Sequence, residues 1–275
     1  MAFQECASDY IMAKPVHELF RDGAMSKSSD SPLETVDPTK FVPGSRVGAT
    51  HGKSVSVALE MQFSAALAPG ALSTKDKLLL LGATCAARRR RDPAREAFRR
   101  AINLGATEHE IEEILLACFV SRGALAYLEG RAIVAELFDV AEQYSPEDEK
   151  TSESGDPATS TRDILDKYLR YFTEPPLWVQ SLAEYHPQFF AGHQLIRELV
   201  FTDGYVRRTL KELVFVAINS VEQYPYGIQL HLRAATAAGA TKEEIFETLA
   251  VAALEGGIVT WIEAIHYFLG EGIRY

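Results

Sequence analysis

Lys211 to Thr241, with the sequence KELVFVAINSVEQYPYGIQLHLRAATAAGAT, is the stretch that decides the fold. Apolar residues recur at helical spacing on both sides of a short polar break, so we predict two consecutive helices. The break ends at Pro225, and proline suits the first position of a helix because it has no N–H to leave unpaired. The stretch therefore predicts a helix, a tight turn and a second helix.

The same layout occurs a second time, 134 residues upstream. In each copy a Gly-Ala-Thr triplet ends one helix with glycine and starts the next with a capping box, in which Glu follows Thr by three residues. The pairs at this offset are Gly70 and Gly204, Lys77 and Lys211, Gly105 and Gly239, Thr107 and Thr241, and Ile111 and Ile245. A constant offset over several helices indicates an internal duplication. We therefore predict two similar helical units that pack together about a pseudo-twofold axis.

The predicted fold class is all-α. After the first capping box, Ile111, Ile114 and Leu115 follow at the spacing of one buried helical face. No run alternates between apolar and polar residues as a half-buried strand would, although Val206 or Val214 could begin a short strand by composition.

Composition divides the chain into four parts. Residues 1–50 are rich in Ser, Asp, Pro and Gly after a short amphipathic start, and we predict an N-terminal arm. Residues 51–142 and 162–275 are the two predicted repeats. Residues 143–161 are polar, acidic and rich in Ser, Pro and Gly, so they have little to bury and are predicted to be a linker.

Charge and cysteine usage exclude several classes of function. The net charge is −10, which disfavours a nucleic-acid partner because phosphate binding needs a basic surface. The chain has three cysteines, which are far apart and form no CxxC, so neither a disulfide framework nor a redox pair is expected. The sequence has no signal-peptide pattern and no apolar run long enough for a membrane span. We expect a soluble, cytoplasmic protein without a membrane partner.

Five residues able to carry or orient protons lie close together around the polar break. Histidine has an unperturbed pKa of about 6.5, so His231 is the candidate proton carrier. A carboxylate, Glu212 or Glu222, could orient the imidazole and raise its basicity. The Tyr224 hydroxyl could donate a hydrogen bond to a developing oxyanion. These four residues form the predicted catalytic set, and Tyr226 is expected to contact the substrate.

The helix that begins at Pro225 also suggests how a substrate is held. Tyr224 stands at the helix entrance, where unpaired N–H groups and the helix dipole favour an anion. Gly227 shares a face with His231 and is expected to leave an open volume in front of the imidazole. His193 and Arg197 are further candidates to line the pocket, as is His186 in the same segment.

The KEL triplet at Lys211, the helix that contains His231 and the GATKEEI segment from Gly239 resemble the carboxymuconolactone decarboxylase and alkylhydroperoxidase D-like superfamily. The resemblance covers residues 54 to 275. It implies an alkylhydroperoxidase D-like helical fold for each repeat and a homo-oligomer, a dimer or a trimer. These expectations rest on the resemblance alone.

The chain departs from the redox branch of that superfamily. That branch has a Glu, then CxxC, then a His separated from the second Cys by three residues. Here the resemblance places the Glu at Glu212 and the His at His231, but Tyr224 and Gly227 occupy the two cysteine positions. Peroxide reduction needs a thiolate and a resolving thiol, so we expect no peroxidase activity and a closer similarity to the decarboxylase branch.

The upstream copy has lost the proton-carrying residues. At the constant offset, the positions of His231, Glu212, Tyr224 and Gly227 are occupied by Ala97, Leu78, Arg90 and Pro93. One active and one degenerate half, with one site per chain, is the simplest interpretation.

The predicted function is acid–base chemistry on a small carboxylated or carbonyl compound by a decarboxylase, an isomerase or a lactone-acting enzyme. We expect no organic cofactor, and no metal because the seven histidines show no HExxH or similar spacing. The alternative is a protein that binds a small ligand or serves in assembly, with His231 a structural histidine and Glu212 an ion-pair partner. The run from Arg88 to Arg91 is either a solvated helix end or a source of an arginine that crosses a subunit interface.

Overall fold

The structure, a computed structural model, describes residues 53–139, 161–169 and 173–269. These residues form twelve helices and no strand, so the predicted all-α class is confirmed. The predicted arm and nearly all of the predicted linker lie outside the described residues. The helices are α1 (Lys53–Leu67), α2 (Thr74–Ala87), α3 (Arg91–Asn103), α4 (Glu108–Arg122), α5 (Ala124–Phe138), α6 (Thr161–Leu169), α7 (Leu177–Tyr185), α8 (Pro187–Val200), α9 (Arg208–Val221), α10 (Pro225–Ala237), α11 (Lys242–Gly256) and α12 (Ile258–Leu269).

Both predicted capping boxes are present. The Thr107 hydroxyl accepts the Glu110 N–H at 3.2 Å while the Glu110 carboxylate accepts the Thr107 N–H at 2.8 Å, which starts α4. Thr241 and Glu244 make the same two bonds, at 3.1 and 2.8 Å, at the start of α11. Each box satisfies backbone donors that a helix start would otherwise leave unpaired.

The centre of the protein consists of α2 and α9. Every residue from Lys77 to the end of α2 is buried, and so is every residue of α9 after Arg208. A helix that is buried all round lies inside a core, and these two helices contact each other as well as α4 and α11. A single hydrophobic core therefore spans the first half (α1–α5) and the second half (α6–α12).

The helix boundaries repeat at the offset found in the sequence. The helices α2, α3 and α4 begin and end 134 residues before α9, α10 and α11. The unusual backbone conformations repeat too, since Arg89 and Gln223 both have positive φ, of 56° and 52°. Packing of the halves about a pseudo-twofold axis would produce these correspondences, and the axis itself stays a prediction.

Two buried lysines form reciprocal ion pairs between the halves. Lys77 in the first half pairs with Glu247 in the second, with Nζ 3.1 Å from the carboxylate. Lys211 in the second half pairs with Glu113 in the first, at 2.8 Å. Both lysines are buried, so each carboxylate provides the counter-charge that a buried ammonium group requires.

The same two carboxylates also bind the loops that precede α2 and α9. The Leu72 N–H donates to Glu247 at 2.8 Å and the Val206 N–H donates to Glu113 at 2.6 Å. A Cβ at Gly70 or at Gly204 would collide with the carboxylate beside it. Glycine at these positions therefore allows the backbone to approach the glutamate of the other half.

A smaller cluster of α6, α7 and α8 packs against α10. It is separate from the main core, and its buried residues are Ile164, Tyr168, Val179, Phe190 and Leu230. Leu230 lies on α10, one residue before His231, so this cluster covers the region of the candidate site. None of the helices that the structure describes is long and apolar enough to cross a membrane.

Replacement of Glu113 by alanine tests the reciprocal ion pairs. Loss of this carboxylate leaves the buried Lys211 ammonium without its counter-charge, so we expect the free energy of unfolding to fall by about 3 kcal/mol. Denaturant unfolding followed by circular dichroism measures the change. The control is Glu112→Ala, which removes a neighbouring carboxylate whose partner, Arg131, is a more exposed arginine of the same half. That change should cost less than about 1 kcal/mol, and equal costs for the two variants would contradict the assignment.

Candidate active site

A cavity of about 290 Å³ lies beside the turn between α9 and α10. Six of the eight predicted site residues line it, and they are His193, Arg197, Tyr224, Tyr226, Gly227 and His231. The remaining two, Glu212 and Glu222, are not among its lining residues. The structure thus brings together residues that the sequence places on α8, on the turn and on α10.

The turn between α9 and α10 positions the tyrosines. Gln223 has positive φ, and the Tyr224 N–H donates to the Asn219 carbonyl at 2.9 Å, which reverses the chain. Pro225 is the first residue of α10, as predicted. Tyr224 therefore stands at the helix entrance, and both it and Tyr226 are about half exposed at the cavity.

A buried hydrogen bond joins His231 to Glu212. The imidazole Nδ1 lies 2.8 Å from Glu212 Oε2, and both side chains are only 3% exposed. An ionised carboxylate can only accept, so the Nδ1–H of His231 is the donor. The neutral imidazole then carries its lone pair on Nε2, the ring nitrogen that Glu212 leaves available.

The surroundings of His231 keep the imidazole neutral. Its ring stacks on Phe215, with ring centres 4.5 Å apart, and on Phe201, at 5.6 Å. Burial lowers the pKa of His231 below its ordinary value, while the hydrogen bond and charge of Glu212 act in the opposite direction and Arg197 lowers the pKa further. At neutral pH the ring is thus an uncharged base fixed by a carboxylate.

Arg197 is a cation without a carboxylate partner among the described residues. Its guanidinium carbon lies 5.2 Å from the centre of the Phe201 ring and 6.0 Å from that of Phe215. Burial, and then the charge of Arg197, lower the pKa of His193. An arginine that lines a cavity and has no counter-ion is suited to bind an anionic ligand.

Glu222 has a different role from the one predicted. Its carboxylate lies 3.4 Å from Arg88 and 3.5 Å from Arg122. Within the part of the chain that the structure describes, the carboxylate bonded to His231 is Glu212. Glu222 follows the last residue of α9 and points to arginines of the first half, which its closeness to Tyr224 in the sequence does not indicate.

Gly227 does not leave the open volume that was predicted. A Cβ at this position would lie 2.5 Å from Asn219 Oδ1 and 2.6 Å from the Tyr224 ring. The space is therefore taken by these two side chains, and Asn219 is itself held by a 2.8 Å bond from its amide to the Phe215 carbonyl. The glycine at 227 is needed for close packing of the turn, and it is itself one of the residues that line the cavity.

Several residues that line the cavity were not predicted. Phe215 and Asn219 lie on α9, Trp178 lies on α7, and Ser121 and Arg122 end α4 in the first half. The α9 residues belong to the quoted stretch and could have been found from helical spacing, since they lie one and two turns after Glu212. Ser121 and Arg122 approach from the other half, so no local pattern points to them.

The other candidates lie outside the cavity. His186 is exposed at the junction of α7 and α8. In the arginine run, Arg88 and Arg90 both approach Glu255, at 3.2 and 3.5 Å, and Arg91 pairs with Glu136. Three of the four arginines are therefore engaged within the chain, and a role of the run across a subunit interface stays a hypothesis.

The first half contains a smaller cavity of about 170 Å³ at the equivalent place. Each lining residue is 134 positions from a residue of the larger cavity, and these residues are Phe63, Leu81, Cys85, Arg90, Pro93, Leu254 and Glu255. Burial and Glu255 raise the pKa of the Cys85 thiol well above its ordinary value. Since Ala97 and Leu78 replace the His–Glu pair, this cavity has no equivalent proton carrier.

Comparison with known proteins finds a similarity to one protein family. Residues 187–268 match the model of the Carboxymuconolactone decarboxylase family, which confirms the resemblance for this segment. The match extends from the start of α8 almost to the end of α12 and includes Arg197, Glu212 and His231.

A curated protein of Paracoccus denitrificans, described as "Uncharacterized protein 4 in cox locus", is also similar. It is 40% identical over 58 residues, which is 21% of this chain and 52% of that protein. The chain therefore covers about half the length of this relative. No group of three or more metal-binding side chains is assembled within the described residues.

Substitutions at Glu212 and Arg197 should move the pKa of His231 in opposite directions. Glu212→Gln removes the charge that stabilises the imidazolium, so the pKa of His231 should fall further. Arg197→Met removes a repelling cation, so the pKa should rise. Titration of the His231 ring signals by NMR measures both shifts, with His186→Gln as a control that should leave them unchanged. Shifts of the same sign would contradict the assigned geometry.

Proposed function

We propose that the protein is a cofactor-independent acid–base enzyme that acts on a small carboxylated or carbonyl compound. The observation that carries the proposal is the buried His231–Glu212 pair, whose imidazole lines a cavity together with Arg197, an arginine that has no carboxylate partner among the described residues. Decarboxylation, double-bond isomerisation and lactone opening each require at least a proton carrier, a carboxylate that orients it and a group that binds an anion. The match to the Carboxymuconolactone decarboxylase family supports this class of chemistry.

His231 acts as the base in the proposed reaction. The Nε2 lone pair accepts a proton from carbon next to a carbonyl group, and the electron pair of the C–H bond moves towards the carbonyl oxygen. Glu212 stabilises the imidazolium that forms, because its carboxylate already accepts the Nδ1–H. The same imidazolium returns the proton to another carbon, which gives an isomer. In a decarboxylation no C–H bond is broken: Nε2 accepts the proton of the carboxylic acid group, CO₂ leaves, and the imidazolium delivers that proton to the carbanion that remains.

Tyr224 supplies a hydrogen-bond donor for the oxyanion. Burial, and then Tyr226, raise the pKa of the Tyr224 hydroxyl above its ordinary value, so the hydroxyl keeps its proton at working pH. The first turn of α10 lies at the same wall of the cavity, and the positive end of its dipole favours negative charge there. Arg197 adds positive charge to the same cavity, which favours a substrate that carries a carboxylate.

Replacement of His231 should lower the rate of turnover strongly while the protein still folds. A screen of small keto acids, unsaturated acids and lactones is carried out with the unaltered protein, followed by ultraviolet absorbance and NMR. For any compound that is converted, His231→Gln should lower kcat at least about a hundredfold, the usual contribution of a positioned acid–base group. His186→Gln, a change at an exposed histidine outside the cavity, should leave kcat unchanged. Equal kcat in the His231 variant and the unaltered protein would remove the catalytic assignment.

The pH dependence of turnover should show that the neutral form of His231 is the active one. Because the base form is active, kcat/KM should be constant at neutral pH and fall as the pH drops through the pKa of His231. Burial places that pKa below the ordinary value of about 6.5. In Arg197→Met the fall should begin at higher pH. A profile that rises towards acid would contradict a neutral base.

Ligand binding without turnover is the competing function. Stacking of His231 on Phe215 and its nearly complete burial favour this possibility, because a structural histidine would have the same surroundings. A compound that binds equally well to the unaltered protein and to His231→Gln, with no turnover in either, would support it.

A further inference from the structure

We infer that Arg122, a residue of the first half, binds the anionic group of the ligand in the cavity of the second half. The inference rests on the proposed function only in taking this cavity as the substrate site. It gives the first half a direct part in recognition, although that half lacks the His–Glu pair.

Arg122 reaches the cavity from the end of α4. It is the last residue of that helix, and it lines the cavity together with Val120 and Ser121. Its side chain is 30% exposed, and the carboxylate that pairs with it among the described residues is Glu222, at 3.5 Å. A guanidinium that is partly exposed in a cavity and only loosely paired keeps N–H donors for a second anion.

The charge around Arg122 is not balanced. Glu222 is shared with Arg88 at 3.4 Å, and Arg88 also approaches Glu255, which lies 3.5 Å from Arg90. Among the described residues this network contains three arginines and two glutamates, which leaves one positive charge in excess. Glu222 thus holds Arg122 in place without cancelling the network's charge.

The cavity is electropositive in an acidic protein. Arg122 and Arg197 both line it, and no carboxylate is among the described lining residues. The chain as a whole carries a net charge of −10. A concentration of positive charge in one cavity of an acidic protein attracts a small anion to that place.

The first half receives no equivalent residue in return. The positions 134 residues after Ser121 and Arg122 are occupied by Glu255 and Gly256. Glu255 lines the smaller cavity, where it places a negative charge at the position that Ser121 occupies in the larger one. The opposite half therefore contributes an arginine to the lining of the larger cavity and a glutamate to that of the smaller one, as far as the described residues show.

The chemical class of ligand that fits is a small carboxylate with an apolar body. The planar guanidinium of Arg122 can bind both carboxylate oxygens, and the aromatic lining formed by Phe215 and Trp178 can contact the rest of the molecule. Residues 187–268, which match the family, do not include Arg122, so this contribution comes from outside the matched segment.

The test compares a charged probe with a neutral one of the same shape. Benzoate and benzamide differ in the group that Arg122 would bind, and their dissociation constants are measured by NMR titration of the full chain. We expect benzoate to bind more tightly than benzamide to the unaltered protein. Arg122→Gln should weaken benzoate about tenfold or more and leave benzamide unchanged, the scale expected for loss of a hydrogen bond to a charged group. Arg122→Lys should recover part of the loss.

The controls distinguish a loss of ligand binding from a loss of folding and from a loss of turnover. Arg131→Gln removes an arginine of the same half that pairs with Glu112 outside the cavity, and it should leave both affinities unchanged. If Arg122→Gln does not fold, the Arg122 Nε–H signal of the unaltered protein, assigned with Arg122→Lys, should move on addition of benzoate. Absence of a benzoate preference, a change of less than twofold in Arg122→Gln, or an unmoved Nε–H signal would overturn the inference. None of these readouts depends on turnover, so failure of the proposed chemistry would be seen separately.

Discussion

The hydrogen bond between His231 and Glu212 is the interaction on which the site depends. It joins α9 to α10 through groups that are both buried. Loss of one partner from a buried polar pair leaves the other without its hydrogen bond, at a cost of a few kcal/mol. The same bond selects the tautomer of His231 and so determines which ring nitrogen can act on a ligand.

The halves make unequal contributions to one cavity. Both halves contribute to the shared core, and they contribute equally to the reciprocal Lys–Glu pairs, since each half provides one buried lysine and one carboxylate. The cavities differ because their linings differ. The second half carries His231, Glu212 and Arg197, whereas the equivalent positions of the first half are Ala97, Leu78 and Phe63. The first half supports the larger cavity through the end of α4.

Local sequence signals predicted the elements that depend on local physics. The two capping boxes, the first helical position of Pro225 and the buried faces of α4 and α9 follow from spacing and backbone chemistry. Glu212 and His231 are 19 residues apart, and Glu212 was one of the two carboxylates predicted to orient the imidazole. The family resemblance pointed to the same two residues.

The features that the sequence did not indicate arise from contacts between distant segments. Arg122 lies about a hundred residues before His231, and only packing of the two halves places it at the cavity. Glu222 was the alternative carboxylate predicted to orient His231, but the end of α9 directs it to Arg88 and Arg122. At Gly227, helical spacing gave the correct face and could not show that Asn219 fills the space.

The tautomer of His231 tests most directly whether its Nε2 is free to accept a proton. The ¹⁵N chemical shifts of the imidazole, recorded at neutral pH in protein labelled at histidine, distinguish the two neutral forms from the protonated ring. We expect a protonated Nδ1 and an unprotonated Nε2, because Glu212 accepts the Nδ1–H. A proton on Nε2 with a bare Nδ1, or a doubly protonated ring at neutral pH, would contradict the central role assigned to the His231–Glu212 pair.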